Sequence, residues 1–329
     1  MFMRVSRDFY SLSLILIALL LFATDVYGAD PGLPLKDDSV ISDQKAGSVL
    51  FYNIYTSSAI SPSNEDTRIN ITNTAAFESA VVYLFFIDGS TCEPAGAVLC
   101  LTGNQTVTFK ASDLDPDVTG FLIAIATDTY GCPIKFNYLI GDEYVKFDSG
   151  HAANLGAEAV SGINVLPCNE ADPFCTLEFN DDQYGRLPSV VAVDNIASRI
   201  DGNNTLVILN RVSGSLATGV DPIGVISGVL YGDDEDPHSF VINGLQCQLK
   251  LKLSNSIPRT APNFNTIISA GRSGWIKVFA ASNAPLLGSV INFNERAGEL
   301  DGAYNQGRNL YKLRLTNSIF IVPFLMPHC

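Results

Sequence analysis

The chain of 329 residues is 47% hydrophobic and only 16% charged, which excludes a largely disordered protein and supplies enough apolar material for two ordinary cores. Its formal net charge of -14, from 20 Lys+Arg against 34 Asp+Glu, repels phosphate backbones, and no local Lys/Arg cluster offsets it. Nucleic acid is excluded as a partner on these grounds, and the acidity reads as the surface of a soluble exported protein.

Arg4 and Arg7 precede the charge-free apolar run Leu12–Ala23, and Val26-Tyr27-Gly28 follows with small or neutral residues. This is the plan of a secretory signal over residues 1–28, cut between Gly28 and Ala29. The run is short for a membrane span and no second long apolar segment follows, so the mature chain is not expected to be an integral membrane protein. Residues 29–46 are polar, contain two prolines and lack periodicity, which predicts an extended leader.

Strands are then predicted in quick succession. Val49, Phe51, Ile54 and Tyr55 mark the first, and Arg68–Thr72 alternates Ile69 and Ile71 with polar residues, the period of a half-buried strand. Val81–Ile87 is apolar throughout and ends on Asp88-Gly89, as a central strand covered on both faces would. Thr106–Lys110 alternates again. The stretch Thr119–Phe147 reads as a strand, a turn at Asp128–Gly131, a second strand, a turn at Gly141-Asp142 and a third strand. His151–Val160, rich in Ala, is the one helical candidate.

Residues 273–299 echo Thr119–Phe147. Gly120–Ile123 matches Gly274–Lys277 at a shift of 154, while Ile134–Asn137 matches Ile291–Asn294, and Gly141-Asp142 matches Gly298-Glu299, at 157. Ile69–Asn73 likewise resembles Leu206–Asn210. Together these patterns predict an all-β protein of two tandem β-sandwich units, immunoglobulin-like in the loose sense, related by internal duplication. The expected boundaries are 47–149 for the first unit, 150–186 for a connecting segment with a Cys168–Cys175 loop, and 187–329 for the second unit.

Seven cysteines follow the signal, and in an oxidising compartment they are expected to pair with one left over. Cys92 with Cys100 and Cys168 with Cys175 form short closable loops. Cys132, Cys247 and Cys329 compete for a third bridge; Cys247–Cys329 is favoured because both lie in the second half, and Cys132 is the candidate odd thiol. C-x2-C spacings with nearby His are missing, so zinc is not expected.

Two acidic loops are weak calcium candidates: Asp113, Asp115 and Asp117 at alternate positions, and the run Asp233, Asp234, Glu235 and Asp236. A D-x-D-x-D loop can supply three of the six to eight oxygens that calcium takes, but neither loop has the Gly and Glu of an EF-hand, and a solvated turn is the simpler reading. His151, His238 and His328 sit in no recognisable nucleophile motif, and phosphate-cradling glycine loops are lacking. Trp275, Phe85, Phe86, Phe121, Phe136, Tyr138 and Phe293 are expected to pack in cores rather than to form a carbohydrate platform.

The runs AGSVLFYNIYTSS (46–58), TRINITNT (67–74), LFFIDGSTC (84–92), KASDLDPDVTGFLIAIA (110–126) and NYLIGDEYVKFDSGHAANLGAEA (137–159) carry a resemblance. In them the chain resembles a group of uncharacterised exported bacterial all-β proteins. The resemblance implies bacterial origin, export and an all-β architecture, and brings no activity and no functional residues with it.

The function expected from the sequence is therefore non-enzymatic: an exported surface, matrix or interaction protein with a protein or cell-surface partner, self-association included. The alternative is an extracytoplasmic glycan- or small-ligand-binding module, and the third reading is an enzyme with a loop-built site. No catalytic residue and no cofactor-binding residue is nominated. The place of action is the medium, the periplasm or the cell surface.

Overall fold

The structure, a computed structural model, describes residues 41–168, 172–280, 282–294, 296 and 304–324. The expected signal segment, most of the leader, Gly298-Glu299 and Cys329 lie outside these residues. All described residues belong to one compact unit within Pro34–Cys329.

In chain order the first strands are β1 (Val49–Thr56), β2 (Asp66–Asn73), β3 (Ala80–Asp88), β4 (Pro94–Leu101) and β5 (Thr106–Lys110). The turn of helix α1 (Ala111–Leu114) leads to β6 (Thr119–Thr127), β7 (Leu139–Lys146), β8 (Ala152–Gly156), β9 (Glu158–Val160) and β10 (Phe174–Phe179). Next come β11 (Leu187–Ala197), β12 (Asn203–Arg211), β13 (Gly214–Ser215), β14 (Gly219–Val220), β15 (Gly224–Tyr231), β16 (Pro237–Gly244) and β17 (Gln248–Lys252). After α2 (Phe264–Ile267) the chain closes with β18 (Ser273–Ala280), β19 (Leu286–Asn294), β20 (Tyr304–Asn309), β21 (Tyr311–Thr316) and β22 (Ser318–Pro323).

These strands make five sheets, which corrects the expectation of two tandem β-sandwich units. Sheet I runs β4-β3-β6-β1-β9, sheet II β5-β2-β7-β8, sheet III β10-β22-β13-β14, sheet IV β16-β15-β18-β11-β21 and sheet V β17-β12-β19-β20. Shared cores link them in the succession IV, V, II, I, III. Val191, Val278, Val207 and Leu209 join IV to V; Ile208 and Ile291 meet Val145 and Leu155 between V and II. Ile69 and Ile71 pack on Leu84 and Leu122 between II and I, and Phe51, Phe85 and Phe121 pack with Phe179 and Phe320 between I and III. Leu187 of sheet IV reaches the last of these cores and brings the ring back on itself. Five small sheets in a ring read as the five blades of a β-propeller. The blades are unusual in drawing neighbours from distant parts of the chain instead of from one meander.

Sheet III is the reason the expectation failed. The segment expected to be a connector supplies β8, β9 and β10, and β10 pairs residue for residue with β22 from Phe174↔Pro323 to Phe179↔Ser318. The helical candidate His151–Val160 becomes β8 and β9. Its burial alternates at Ala153 and Leu155, and β8 pairs with β7 while β9 pairs with β1, so ladder pairing outweighs the helix propensity of its alanines. Gly141 is no turn glycine. It sits inside β7, where an added Cβ would lie 2.0 Å from the Tyr52 hydroxyl, so only Gly leaves room for that ring. Ile134–Asn137 lies in a loop.

The repetition is one of topology. The order of sheet I returns in sheet IV and that of sheet II in sheet V, each strand replaced by a later counterpart. β1 carries a register shift between Tyr52 and Tyr55, and β11 carries one between Val193 and Ile196. Gly120 stands opposite Tyr55 and Gly274 opposite Ile196, as the shift of 154 requires. Gly141 faces Ile71 and Gly288 faces Leu209, so Gly288 is the counterpart of Gly141.

The halves are locked by buried polar groups. Asn53, in the β1 irregularity, donates to Glu158 Oε2 at 2.8 Å, to the Gly288 carbonyl at 3.1 Å and to Asn309 Oδ1 at 2.9 Å. Its own carbonyl accepts from Asn210 at 2.7 Å, and Lys312 of β21 forms an ion pair with the fully buried Glu158 of β9. Burial raises the Glu158 pKa, and the Lys312 charge holds it down.

Among the described residues no such cation reaches Glu143, on β7. It is 1% exposed, its carboxylate accepts from the Ile54 amide, and burial raises its pKa well above the ordinary range, with Asp142 adding to the rise. A raised folded pKa means that the native state holds a proton that the unfolded chain gives up. The stability from that proton is complete below the ordinary carboxylate value and is lost as pH climbs towards the folded pKa. Thermal melts between pH 5 and pH 8 should thus show Tm falling with pH, and Glu143→Gln should fall by a few degrees less; equal slopes would remove Glu143 as the cause.

Candidate functional site

Sheets III and IV meet at Leu187 and where β21 runs into β22, and beside this seam opens a cleft of about 740 Å³. Its walls carry Ser213, Ser215, Thr218, Asn283, Thr316, Ile319 and Ile321. Gly214 and Gly219 adopt positive φ (116° and 130°) at the two sides of the β13–β14 turn, a conformation that favours glycine and lets the hairpin fold back tightly. Arg211 sits at the rim: its Nε donates to Ser213 Oγ at 2.8 Å, that hydroxyl donates to Asp221 Oδ2 at 2.7 Å, and the guanidinium lies 3.6 Å from the same carboxylate. Burial lowers the Arg211 pKa and Asp221 opposes the shift.

One wall of this cleft is the outer face of sheet III. Phe174, Thr176 and Glu178 alternate outward along β10, and Ile319 and Ile321 do so on β22 opposite Glu178 and Thr176. Phe174, Ile319 and Ile321 are 48%, 49% and 42% exposed.

A second surface emerges when sheets I and IV are compared. On sheet I one cross-strand row runs Val98–Tyr83–Ile125–Val49–Val160, and the next Gly96–Phe85–Ile123–Phe51–Glu158. A third row pairs Pro94, Ile87 and Phe121. Sheet III covers this face: the Phe51 and Phe179 ring centroids are 5.9 Å apart, and Phe179 meets Phe320 edge-on at 6.2 Å. The matching rows of sheet IV are Val241–Ser227–Phe279–Val190–Arg314, Ser239–Val229–Lys277–Ala192–Tyr311 and Pro237–Tyr231–Trp275.

Among the described residues no sheet lies over that face. Val241 is 62% and Tyr311 53% exposed, while Val190, Val229, Tyr231, Trp275 and Phe279 are half-buried. Trp275 therefore departs from the expected core position: its indole stacks flat on Tyr231 at 4.4 Å on the outside of the sheet. Phe85, Phe86, Phe121 and Phe136 are buried as expected. The three rows contain Lys277 and Arg314 but no Asp or Glu, in a chain where acids outnumber bases 34 to 20. Periodicity could not have found this surface, because its strands carry the apolar alternation of any sheet. The signal lay in the exchange of Ile123 for Lys277 and Tyr83 for Ser227 between equivalent positions.

The acidic candidates do not converge. Asp115 accepts from the Tyr55 hydroxyl at 2.5 Å and Asp117 from the Ala59 amide at 2.7 Å, while Asp113 belongs to the first turn of α1. Asp233 is ion-paired with Arg272, Asp234 accepts from the Asp236 amide, and Glu235 holds a positive φ of 66° in an exposed turn. Among the described residues the one grouping of three His, Cys, Asp or Glu ligand atoms within 4.8 Å is Cys132, Cys168 and Cys175. Cys168 and Cys175 are joined as a disulfide, as the sequence predicted, which withdraws two of those sulfurs from metal binding.

The other expected bridges are corrected. Cys100 is disulfide-bonded while Cys92 is a buried thiol, so Cys92–Cys100 is not formed; Cys247 is also a buried thiol, which removes Cys247–Cys329. Cys132 retains its thiol. The short spacing of Cys92 and Cys100 misled because β3 and β4 lie between and around them in extended pairing, with Cys100 opposite Val81 and Cys92 in the turn.

No family model matches the chain, and neither does any curated protein. Among solved structures it is similar to Thermotoga maritima 1070, at 11% identity over 34% of this chain and 92% of that one, with a TM-score of 0.25. It is also similar to the major pilin from Streptococcus pyogenes (11% identity, 84% of this chain, 98% of that chain, TM-score 0.20). The naturally occurring empty particle of cowpea mosaic virus follows at 6% identity, 93% and 98% coverage and a TM-score of 0.19. At such TM-scores these likenesses say nothing about what the chain does.

The geometry of the acidic loops has a direct consequence. Melting in a chelator and in a few millimolar calcium should give the same Tm within about 1 °C, since an ion bound only by the native state would raise it; a calcium-dependent rise of several degrees would place a site that the described carboxylates do not form.

Proposed function

We propose that the protein is a non-enzymatic exported interaction protein that assembles with copies of itself through the open face of sheet IV. What supports the reading is the unequal covering of two equivalent sheets: sheet III lies over sheet I, and nothing described lies over sheet IV. A contiguous apolar face of this extent is a mark of an interaction site in a soluble protein. The occupant follows from charge. The sheet IV face bears two cations and no acid, and the outer face of sheet III bears Phe174, Ile319 and Ile321 with Glu178 in the same rows. One copy's sheet IV against the next copy's sheet III is a head-to-tail contact between different surfaces, which extends into chains unless its rotation closes a ring. The contact repeats the cover that sheet III gives sheet I inside each copy, using the opposite face of that sheet. The disulfide and the lack, among the described residues, of any helix long and apolar enough to cross a membrane are compatible with a role outside the cytoplasm.

A second reading rests on the half-buried Arg211 among the hydroxyls and amides of the cleft. Such a rim suits a small polyhydroxylated ligand with a carboxylate, an acidic glycan for example.

Sedimentation velocity over a hundredfold range of concentration separates the two. Assembly predicts species larger than a monomer that dissociate on dilution. Val241→Asp, at an exposed edge-strand position, should abolish them without loss of Tm. Arg314→Glu should weaken association roughly tenfold, and adding Glu178→Lys should restore part of it. A chain that stays monomeric throughout refutes assembly and leaves the ligand reading.

A further inference from the structure

We infer that Cys92 and Cys247 form a redox-active dithiol that closes into a disulfide between the two halves of the chain. Cys92 stands in the β3–β4 turn of sheet I, at a positive φ of 69°, and Cys247 in the β16–β17 turn beyond sheet IV. The fold brings these turns together. Gln248 donates its amide to the Gly89 carbonyl at 3.2 Å, and the Cys247 sulfur lies 3.2 Å from the Asp88 carbonyl. Cys92 accepts from the Val220 amide at 3.0 Å and Cys247 from the Arg211 amide at 2.9 Å, so the backbone on both sides is held in place. The Asp88 carbonyl accepts from the Cys92 amide at 2.8 Å and from the Cys247 thiol at 3.2 Å, so the two cysteines converge on one acceptor, and both belong to the core shared by sheets I and III.

Their surroundings set the chemistry. Cys92 is 8% and Cys247 0% exposed, and burial raises both pKa values, Cys247 the further. Little thiolate is present at neutral pH, so oxidation is slow there and quickens as pH rises. Cys92, the more accessible, takes the first step. Its thiolate attacks a low-molecular-weight disulfide, such as oxidised glutathione, forming a mixed disulfide and expelling one thiolate. The Cys247 thiolate then attacks the Cys92 sulfur, the intramolecular S–S bond forms, and the second small thiolate leaves. The two protein thiols lose two protons and two electrons, and the small disulfide is reduced to two thiols. The inference stands apart from the assembly reading, since neither cysteine lies on the sheet IV face or the outer face of sheet III.

The test uses the full chain incubated at pH 8.5 with oxidised and reduced glutathione, alkylated under denaturing conditions and mapped by mass spectrometry without reductant. The expected product is a peptide pair linked through Cys92 and Cys247, in a protein lighter by the two hydrogens lost, with the Cys168–Cys175 bridge unchanged. The oxidised form should melt about 5 °C higher, because the bridge constrains a long loop of the unfolded chain. Recovery of Cys92 and Cys247 both alkylated, or each carrying glutathione without the link, overturns the inference. Cys247→Ser serves as the control: it should stop at the mixed disulfide on Cys92, and wild-type mapping decides the matter should that variant fail to fold.

Discussion

A five-stranded sheet of alternating apolar residues has two faces, and each exposes several hundred square ångströms unless something lies over it. The architecture follows from how that demand is met twice with different means. Sheet I receives sheet II on one side and sheet III on the other, and its positions facing sheet III are filled by Tyr83, Phe85, Ile87, Phe121, Ile123 and Ile125. Fully burying each of these side chains contributes about 1.5–3 kcal/mol, enough to make sheet III the natural cover. Sheet IV repeats the strands, the β1-type irregularity and the glycine opposite it, yet among the described residues only sheet V lies over a face of it, with Leu187 alone reaching the core of sheet III. At the same six positions it carries Ser227, Val229, Tyr231, Trp275, Lys277 and Phe279. Two of the six have become polar and four remain apolar, the composition of a surface that is solvated for part of its life and covered for the rest.

The junction between the halves fixes where that open face points. Asn53, Asn210, Asn309 and Glu158 exchange hydrogen bonds across sheets I and V, and Lys312 of sheet IV supplies a cation to Glu158. Taking Glu158 and Lys312 out of water is costly, and an apolar pair of the same volume would serve stability at least as well. What the ion pair adds is register: it ties β9 to β21, the equivalent edge strands of sheets I and IV, so a slip of either strand would leave a charge buried without its partner.

Much of the chain's local structure could be read from its residues. The alternation of Ile69 and Ile71, the unbroken Val81–Ile87 and the matched Gly120 and Gly274 fall in β2, β3 and the equivalent strands β6 and β18. Three things escaped. Residues 151–160 combine helix-forming alanines with burial at every second position as far as Ala157, and only the partners β7 and β1 decide between the two. The match at a shift of 157 joined a loop to a strand, since four residues of β-type composition recur without common register; the register pairs Gly141 with Gly288 instead. Sheet III was invisible because β10 lies in the expected connecting segment and β22 near the end of the second unit, and no local pattern announces so distant a pairing. The site was legible only as a difference: once equivalent rows are aligned, Lys277 and Ser227 stand out as polar residues where sheet I is apolar. The cysteines teach the same lesson, for short spacing suggested Cys92–Cys100, and the fold sets Cys92 beside Cys247.

The sharpest check on the assembly account is the identity of the residue that meets Val241 in solution. A photo-reactive phenylalanine analogue placed at position 241, irradiated in concentrated protein and mapped by mass spectrometry, reports it directly. Attachment to residues 174–178 or 319–321 of a second copy is the predicted result. Attachment to the same patch around 241 in a symmetric dimer, or the lack of any intermolecular product, would contradict it.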